Sequence, residues 1–208
     1  MSIKIIVFDM DGVLVNIRSS WLFVHEKLGV NSVKNFYKYQ NKEIDYQEFM
    51  RRDITLWGPR TIDEIRNILK TVPLMEGIED TLPELKRRGY LLAILTAGIS
   101  LLAERLHEQF SFHYVYANRL CESQGVLTGK GEVVVELMSK GSFLELFLLS
   151  KGIERKNCIV IGDSQFDVPM FSVAGFSIAF NTSDELVRKA ADVSVESQDL
   201  RELLPLIP

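Results

Sequence analysis

The feature that most constrains the fold is an apolar run near the start of the chain that ends in two acidic residues. Ile5-Ile6-Val7-Phe8 is followed directly by Asp9-Met10-Asp11-Gly12. Four consecutive apolar residues are typical of a parallel strand that is buried on both faces. Open α/β sheets bind their ligands at the carboxyl ends of such strands. The run therefore predicts a buried strand ending in two carboxylates, which can hold a hard cation or act as nucleophile and acid/base.

Composition narrows the class of protein only modestly. The chain has 208 residues, of which 47% are hydrophobic and 25% charged, with a net charge of -4. This charge gives no reason to expect nucleic acid or a membrane surface as a partner. Met1 to Lys4 lead directly into the first strand, and no long apolar run follows, so we expect neither a leader peptide nor a spanning helix. Cys121 and Cys158 lie far apart and predict reduced thiols in a cytoplasmic protein.

Helical patterns without a strand follow the first apolar run. An amphipathic helix is predicted over Trp21–Leu28, and two further helices are predicted to start at the capping residues Asp45 and Thr61. We therefore predict that residues 16–74 form an all-helical cap, inserted into a core made of residues 1–15 and 75–208. The connections over residues 13–16 and 73–77 are expected to act as hinges.

Strand and helix patterns alternate from residue 76 onward, and a hairpin is predicted over Leu120–Val135. The alternation predicts an α/β fold, a Rossmann-like doubly wound sheet that is mainly parallel with helices on both faces. The helix over Leu82–Arg88 is expected to start or kink at Pro83. The predicted strands are Leu91–Leu95, Tyr114–Tyr116, Cys158–Ile161 and Ser177–Phe180, and the other predicted helices are Ile99–Phe110, Phe143–Lys151 and Pro169–Val173.

Polar residues stand where three of the predicted strands end, and parallel strands bring such residues to one edge of the sheet. Thr96 and Asp163 follow later strands, as Asp9 and Asp11 follow the first. Each also has a purely structural interpretation: Asp11-Gly12 is a turn signal, and Thr96 or Asp167 could cap a helix. Lys140 lies where a helix starts and the helix dipole disfavours a cation, so it is either solvated or placed beside carboxylates.

These residues occur in the order used by the haloacid dehalogenase superfamily, which the chain resembles over essentially its whole length. The resemblance rests on Asp-x-Asp-Gly at residues 9–12, Thr96, Lys140 and Gly162-Asp163-x-x-x-Asp167. Within the superfamily the chain looks most like the phosphoserine-phosphatase type. The segments 116–120, 139–141 and 199–202 also resemble that type.

The resemblance implies a Mg²⁺-dependent phosphomonoester hydrolase that passes through an aspartyl-phosphate. Asp9 would be the nucleophile and Asp11 the acid and base. Mg²⁺ would be held by Asp9, the backbone carbonyl of Asp11 and Asp163, with Asp167 in a supporting role. Phosphoryl oxygens would be bound by Lys140, Thr96 and the neighbouring backbone N–H groups of Ala97 and Gly98. The expected partner is a small phosphomonoester, with a homodimer left open.

The chain departs from the phosphoserine-type pattern in two places. Phe166 stands where an amide is usual in the last motif. Arg18 and Asp53 align with the glutamate and arginine that read the amine and carboxylate of the substrate, so these charges are swapped. Arg18 therefore predicts a substrate with a second anionic group, and phosphoserine is expected to be poor. Arg51 or Arg52 could replace Asp53 in a shifted alignment, and the alternative is that Arg18 and Asp53 pair with each other on the surface.

Three other functions use the same residues differently. A sugar-phosphate mutase of the superfamily would pass the phosphoryl group to another hydroxyl, which product analysis would detect. A receiver domain would accept phosphate without turnover, but its phosphorylated Asp lies on a middle strand, and it lacks a helical insertion. A silent binding protein on the same fold would have no need of the full set of acidic residues.

Overall fold

The computed structural model describes residues 4–208, so the prediction that no leader precedes the first strand lies in part outside the described residues. Seven strands and nine α-helices are found in this range. The strands are β1 Ile5–Phe8, β2 Leu91–Ile99, β3 Tyr114–Ser123, β4 Val126–Glu132, β5 Cys158–Gly162, β6 Phe176–Phe180 and β7 Val193–Val195. The helices are α1 Ser20–Leu28, α2 Val33–Gln40, α3 Tyr46–Leu56, α4 Ile62–Lys70, α5 Ile78–Arg87, α6 Ser100–Phe110, α7 Lys140–Lys151, α8 Val168–Phe171 and α9 Glu185–Ala190.

One sheet organises the molecule, with the strand order β4-β3-β2-β1-β5-β6-β7. All neighbouring pairs are parallel except β3 and β4, which form the predicted hairpin around Gln124-Gly125. The first strand is central and fully buried, as its apolar run requires. The predicted α/β fold with a mainly parallel sheet is therefore confirmed.

Along the chain, four helices, α1 to α4, follow β1 and precede the other strands, and we call them the helical insertion. Thr61, the predicted capping residue of α4, forms a capping box with Glu64. Asp45 caps α3 by accepting the Glu48 N–H, but the Glu48 side chain turns to Arg51 and Arg52 instead of closing a second box. Helix α2 was not predicted; it has eight residues, and Tyr39 is its buried residue.

The connections into and out of the helical insertion pair with each other as a short ribbon. The Asn16 N–H donates to the Pro73 carbonyl at 2.9 Å, and the Met75 N–H donates to the Leu14 carbonyl at 3.0 Å. Apolar residues of the insertion, such as Met50 and Ile54, belong to the same buried cluster as the sheet residue Phe8. The insertion is thus packed onto the sheet through a continuous apolar core.

Helix α5 is longer than predicted and passes through Pro83. It starts at Ile78, so the expectation that the helix starts at Pro83 is wrong. Its buried residues Ile78, Leu82 and Leu85 recur every three or four positions, and burying this face outweighs the backbone bond that proline cannot make. Within residues 4–208, no helix has both the length and the apolar character needed to span a bilayer.

Candidate active site

The register of the sheet places the polar residues that follow β1 and β5 beside a polar segment of β2. Phe8 is level with Ile94 on one neighbouring strand and with Ile161 on the other. Asp9 follows Phe8 and donates its N–H to the Ile161 carbonyl at 2.9 Å. The residues after Ile94 and Ile161 therefore flank Asp9 on both sides.

Lys140 joins two acidic residues from different parts of the chain. Its Nζ lies 2.9 Å from Asp9 Oδ2 and 2.7 Å from Asp167 Oδ1. The Lys140 side chain is only 2% exposed and stands at the first residue of α7. Of the two interpretations of this lysine, the one that places it beside carboxylates is correct, because these contacts offset the unfavourable helix dipole.

Asp167 is buried and accepts bonds on both carboxylate oxygens. Oδ1 accepts from Lys140, while Oδ2 accepts from the backbone N–H groups of Asp163 and Ser164, both at 3.1 Å, and from the Ser164 hydroxyl at 2.9 Å. A Cβ at Gly162 would lie 2.4 Å from the Cβ of Asp167, so this turn needs glycine there. Asp167 precedes α8, but its side chain makes no cap bond to that helix. Its carboxylate instead binds Lys140 and the turn after β5.

Asp163 lies beside the loop that follows β1. A Cβ at Gly12 would meet the Asp163 carboxylate at 2.2 Å, and Gly12 has a φ of +80°, which favours glycine as well. Carboxylate oxygens of Asp9, Asp163 and Asp167 lie within 4.8 Å of one another. The structure therefore brings together the first and last motifs of the sequence.

Asp11 is held by a residue of the helical insertion. Its Oδ2 accepts the backbone N–H and the hydroxyl of Ser20, both at 2.8 Å. Its Oδ1 is buried and finds no hydrogen-bond donor among the described residues. The turn signal at Asp11-Gly12 is present in the backbone, but the carboxylate also has specific partners.

The segment Thr96-Ala97-Gly98 lies inside β2 and next to Asp11. Thr96 is 1% exposed and its hydroxyl accepts the Gly98 N–H at 3.0 Å, four residues before α6 begins, so it does not cap that helix. A Cβ at Gly98 would lie 3.0 Å from Asp11 Oδ2. This close approach places the segment at the acidic cluster.

The Ala97 carbonyl connects the helical insertion with the sheet. It accepts the Trp21 ring N–H at 3.0 Å, the Tyr46 hydroxyl at 3.3 Å and the Asn118 amide at 2.9 Å. The buried Asn118 also accepts the backbone N–H groups of Val134 and Val135 at 2.8 and 2.9 Å. The insertion thus contacts this segment directly.

The ionisation of the site reflects crowded negative charge in a buried place. Burial, followed by the charge of Asp167, raises the pKa of Asp9 to about 7 although Lys140 opposes the shift. Burial, with Asp167 and Asp9 nearby, raises the pKa of Asp163 well above its ordinary value. Burial also raises the pKa of Asp11, against the hydrogen bonds from Ser20. Burial disfavours charge on Lys140, but Asp167 and Asp9 outweigh it and raise the lysine pKa overall.

A divalent cation fits this arrangement. The four carboxyl groups of Asp9, Asp11, Asp163 and Asp167 face one ammonium group, so the site has an excess of negative charge. Carboxylate oxygens are the ligands that Mg²⁺ prefers. Asp167 accepts four bonds, one from Lys140 and three from the turn after β5, whereas Asp9 accepts one bond on each oxygen, from the Met10 N–H and from Lys140. Asp9 and Asp163 are therefore the better candidates for direct ligands.

Arg18 and Asp53 do not pair with each other. Asp53 is 2% exposed, and its carboxylate accepts from His25 Nε2 at 3.0 Å and from the Asn35 amide at 2.8 Å. The alternative of a surface pair between Arg18 and Asp53 is therefore wrong, since helix packing buries Asp53 inside the insertion. Arg18 is exposed, with no ion pair among residues 4–208.

The other arginines considered for the substrate are occupied. Both Arg51 and Arg52 bind Glu48, at 2.6 and 2.7 Å. Phe166 is half-buried in the turn between Asp163 and Asp167.

Ser20 is the residue at this site that sequence reasoning missed. It stands beside Ser19, which caps α1 by accepting the Leu22 N–H, and a Ser-Ser pair before a helix indicates only a cap. Nothing local in the sequence relates Ser20 to Asp11, because the contact depends on how α1 packs on the sheet. Ser164 is within the last motif but was not assigned a role there.

Comparison with known proteins agrees with this geometry. Residues 6–172 match the family of haloacid dehalogenase-like hydrolases. The phosphoserine phosphatase of Methanocaldococcus jannaschii is 32% identical over 207 residues, covering 98% of this chain and 97% of that protein. The phosphoserine phosphatase of Archaeoglobus fulgidus is 29% identical, covering 95% of this chain and 58% of that protein.

Solved structures are similar over the full length as well. One, described as a phospho-aspartyl intermediate analogue of phosphoserine phosphatase, superposes with a TM-score of 0.85, at 30% identity and with complete coverage of both chains. A substrate-bound phosphoserine phosphatase complex gives a TM-score of 0.84, also at 30% identity and with complete coverage. The resemblance predicted from the motifs, including its phosphoserine-phosphatase type, is confirmed. The chain belongs to the haloacid dehalogenase-like hydrolase family.

Proposed function

We propose that this protein is a Mg²⁺-dependent phosphomonoester hydrolase that acts on a small phosphorylated metabolite through an aspartyl-phosphate at Asp9. The observation that carries the proposal is the acidic cluster of Asp9, Asp163 and Asp167, neutralised in part by the buried Lys140. The predicted enzyme class, a phosphatase, is confirmed by the family and by its named relatives. The cytoplasmic location and the oligomeric state stay predictions.

The proposed reaction has two steps. A carboxylate oxygen of Asp9 attacks phosphorus, the ester P–O bond breaks, and Asp11 gives a proton to the departing oxygen. Asp11 then removes a proton from a water molecule, whose oxygen attacks phosphorus and breaks the bond to Asp9, which releases inorganic phosphate. Mg²⁺, held by Asp9, the Asp11 carbonyl and Asp163, would supply charge stabilisation for the phosphoryl oxygens.

The remaining polar groups stabilise negative charge as it spreads over the phosphoryl group. Lys140 and the Thr96 hydroxyl are proposed to bind phosphoryl oxygens, together with the N–H groups of Ala97 and Gly98. In the structure the Gly98 N–H donates to Thr96, so it has to exchange this partner for the substrate. Asp167 would support the site by orienting Lys140. The helical insertion, residues 16–74, would act as a cap that excludes water.

Arg18 is proposed to bind a second anionic group of the substrate. It lies two residues before Ser20, which contacts Asp11, and Arg51 and Arg52 are occupied by Glu48. A cationic side chain at this place would repel the amine of phosphoserine and attract a carboxylate or a second phosphate. The proposed substrate class is therefore a phosphorylated acid without an amine near the phosphate.

The first experiment is hydrolysis of p-nitrophenyl phosphate with and without Mg²⁺. We expect Mg²⁺-dependent release of phosphate that falls by about 10³-fold or more in Asp9→Asn, because the covalent route needs that carboxylate. Asp192→Asn makes the same chemical change at a carboxylate that binds Ser177 instead, and it should keep the activity. Equal activity in Asp9→Asn and the unaltered protein would refute the proposal, and an inactive protein would favour the silent binding protein.

The second experiment compares phosphoserine with 2-phosphoglycolate, which keeps the acid and lacks the amine. We expect 2-phosphoglycolate to be the better substrate, with a KM that rises by about 2–5-fold in Arg18→Gln while that of p-nitrophenyl phosphate is unchanged. A clear preference for phosphoserine would refute the role of Arg18. Identifying the products separates hydrolysis from the mutase alternative, since a mutase transfers the phosphoryl group to another hydroxyl.

A further inference from the structure

The Asp11 carboxylate has two oxygens in opposite situations, and one residue of the helical insertion creates the difference. Ser20 donates both its N–H and its hydroxyl to Oδ2, at 2.8 Å each. Oδ1 is buried and has no hydrogen-bond donor among residues 4–208. A carboxyl proton is disfavoured on Oδ2, because both lone pairs of that oxygen already accept hydrogen bonds.

The direction of the Ser20 hydroxyl is itself set by a second contact. Its oxygen accepts the backbone N–H of Ile99 at 3.1 Å. Because the hydroxyl oxygen accepts the Ile99 N–H on one side, its own proton points at Asp11. Ser20 is fully buried, so water does not compete for these bonds.

Close packing holds the arrangement in place. A Cβ at Gly98 would lie 2.7 Å from the Ser20 hydroxyl and 3.0 Å from Asp11 Oδ2. Ser20 is also the first residue of α1, so the position of the helical insertion determines where its N–H and hydroxyl lie.

We propose that Ser20 is a positioning residue, which keeps the transferable proton of Asp11 on Oδ1 and lets docking of the helical insertion assemble the acid. The inference rests on the proposed function. In the first step Asp9 forms a bond to phosphorus, the ester P–O bond breaks with its electron pair going to the leaving oxygen, and the proton on Asp11 Oδ1 moves to that oxygen. Ser20→Ala keeps the backbone N–H bond to Oδ2 and removes the hydroxyl bond, so the carboxyl group is held by one donor instead of two and its proton is less firmly restricted to Oδ1.

The test is the dependence of the reaction on the leaving group. An alkoxide is strongly basic and needs the proton, whereas p-nitrophenolate leaves well without one. We expect Ser20→Ala to lower kcat/KM by about 10-fold or more for the alkyl phosphomonoester that the unaltered protein hydrolyses fastest, chosen from phosphoserine, 2-phosphoglycolate and glycerol 2-phosphate. For p-nitrophenyl phosphate the loss should stay below about 3-fold.

The ratio of the two kcat/KM values is the decisive quantity, because a misfolded fraction of the variant lowers both equally and leaves the ratio unchanged. Ser19→Ala is the matched control: it removes a neighbouring serine that caps α1 without touching Asp11, and its ratio should equal that of the unaltered protein. An unchanged ratio in an active Ser20→Ala overturns this inference alone. If the unaltered protein shows no hydrolysis that depends on Asp9, the proposed function fails, and this inference with it.

Discussion

Among residues 4–208, carboxylates are buried in the helical insertion and at the sheet edge, and the two groups differ in how completely they are hydrogen-bonded. In the helical insertion, Asp53 has a partner on each oxygen, His25 on one and Asn35 on the other. The ring N–H of Trp57 donates to His25 Nδ1 at 2.8 Å, so the proton of the neutral imidazole lies on Nε2 and faces Asp53. Each fully buried side-chain polar atom of this network has a hydrogen-bond partner among the described residues.

At the sheet edge the matching is incomplete. Asp9 and Asp163 have pKa values raised by burial and by neighbouring carboxylates, and Asp11 has an oxygen without a donor among the described residues. Buried charges and polar atoms without partners are costly, and a bound cation and substrate would complete them at this site. Incomplete pairing, rather than burial of acidic residues as such, distinguishes the candidate active site from a structural network.

Among the substitutions that test this difference between the two regions, the largest effect, on kcat, is expected at Lys140. Lys140→Met removes the cation that faces Asp9 and Asp167, and it also removes a proposed phosphoryl ligand. We expect kcat for p-nitrophenyl phosphate to fall by about 10²–10³-fold, as for the loss of a charged group at a transition state. Steady-state kinetics on the folded variant measures this.

Lys151→Met is the control for that experiment, since Lys151 ends the same helix on the exposed surface. It should keep the rate of the unaltered protein. A Lys140→Met enzyme with full activity would show that the buried lysine is as structural as the Asp53 network.

An intermediate effect, on stability alone, is expected at Asp53. Asp53→Ala leaves the buried donors of His25 and Asn35 without an acceptor, which should cost about 3 kcal/mol of unfolding free energy and lower Tm by about 6–12 °C. Thermal unfolding followed by circular dichroism checks this, with the exposed Asp63→Ala as the matched change. The kcat/KM of the folded variant should stay within about 2-fold of the original. A collapse of activity without a loss of stability would contradict the contrast between the two regions.

The smallest effect is expected at Asp9, where a substitution should raise stability instead of lowering it. Its pKa is raised from 3.8 to about 7, so the folded state holds more protons than the unfolded chain between these values. Stability from this group is therefore present at low pH and is lost as the pH rises through about 7. In metal-free buffer at about pH 8, Asp9→Asn should raise Tm by about 2–5 °C.

The pH and the metal provide the controls for that measurement. Near pH 5 the gain from Asp9→Asn should shrink, because Asp9 of the unaltered protein is then protonated. Added Mg²⁺ should raise the Tm of the unaltered protein more than that of the variant. A variant that is less stable than the unaltered protein at every pH would mean that Asp9 is fully compensated by Lys140.

Much of the sheet could be predicted from local patterns. The apolar run of β1 requires burial on both faces, and the turn at Gln124-Gly125 separates two alternating segments into a hairpin. Helix α2 was missed although Val33, Phe36 and Tyr37 recur at helical spacing; the helix has only eight residues, and its Ser32 N-cap makes no side-chain bond. Strand β7 has three residues, too few for a pattern to indicate it.

The candidate site also contains residues that could be predicted from the sequence and residues that could not. The family resemblance was needed to place Lys140 at the site, because this lysine starts a helix and does not follow a strand. Asp9, Asp163 and the nearby Asp167 could be predicted to converge from the strands alone, because parallel strands place their carboxyl ends on one edge. The partner of Asp53 could not, since His25 lies on another helix and a single sequence carries no sign of which helix faces meet.

By itself, the order of apolar and acidic residues determined the parallel sheet, the helical insertion and the edge where the carboxylates gather, because these follow from local periodicity and from the direction of the strands. Only the tertiary structure decided which carboxylates are matched and which are left incomplete. Ser20 on Asp11 and His25 on Asp53 are contacts between different elements, and their existence depends on how α1 packs against the sheet and against α3. That packing is a property of the whole apolar core, to which residues of both regions contribute.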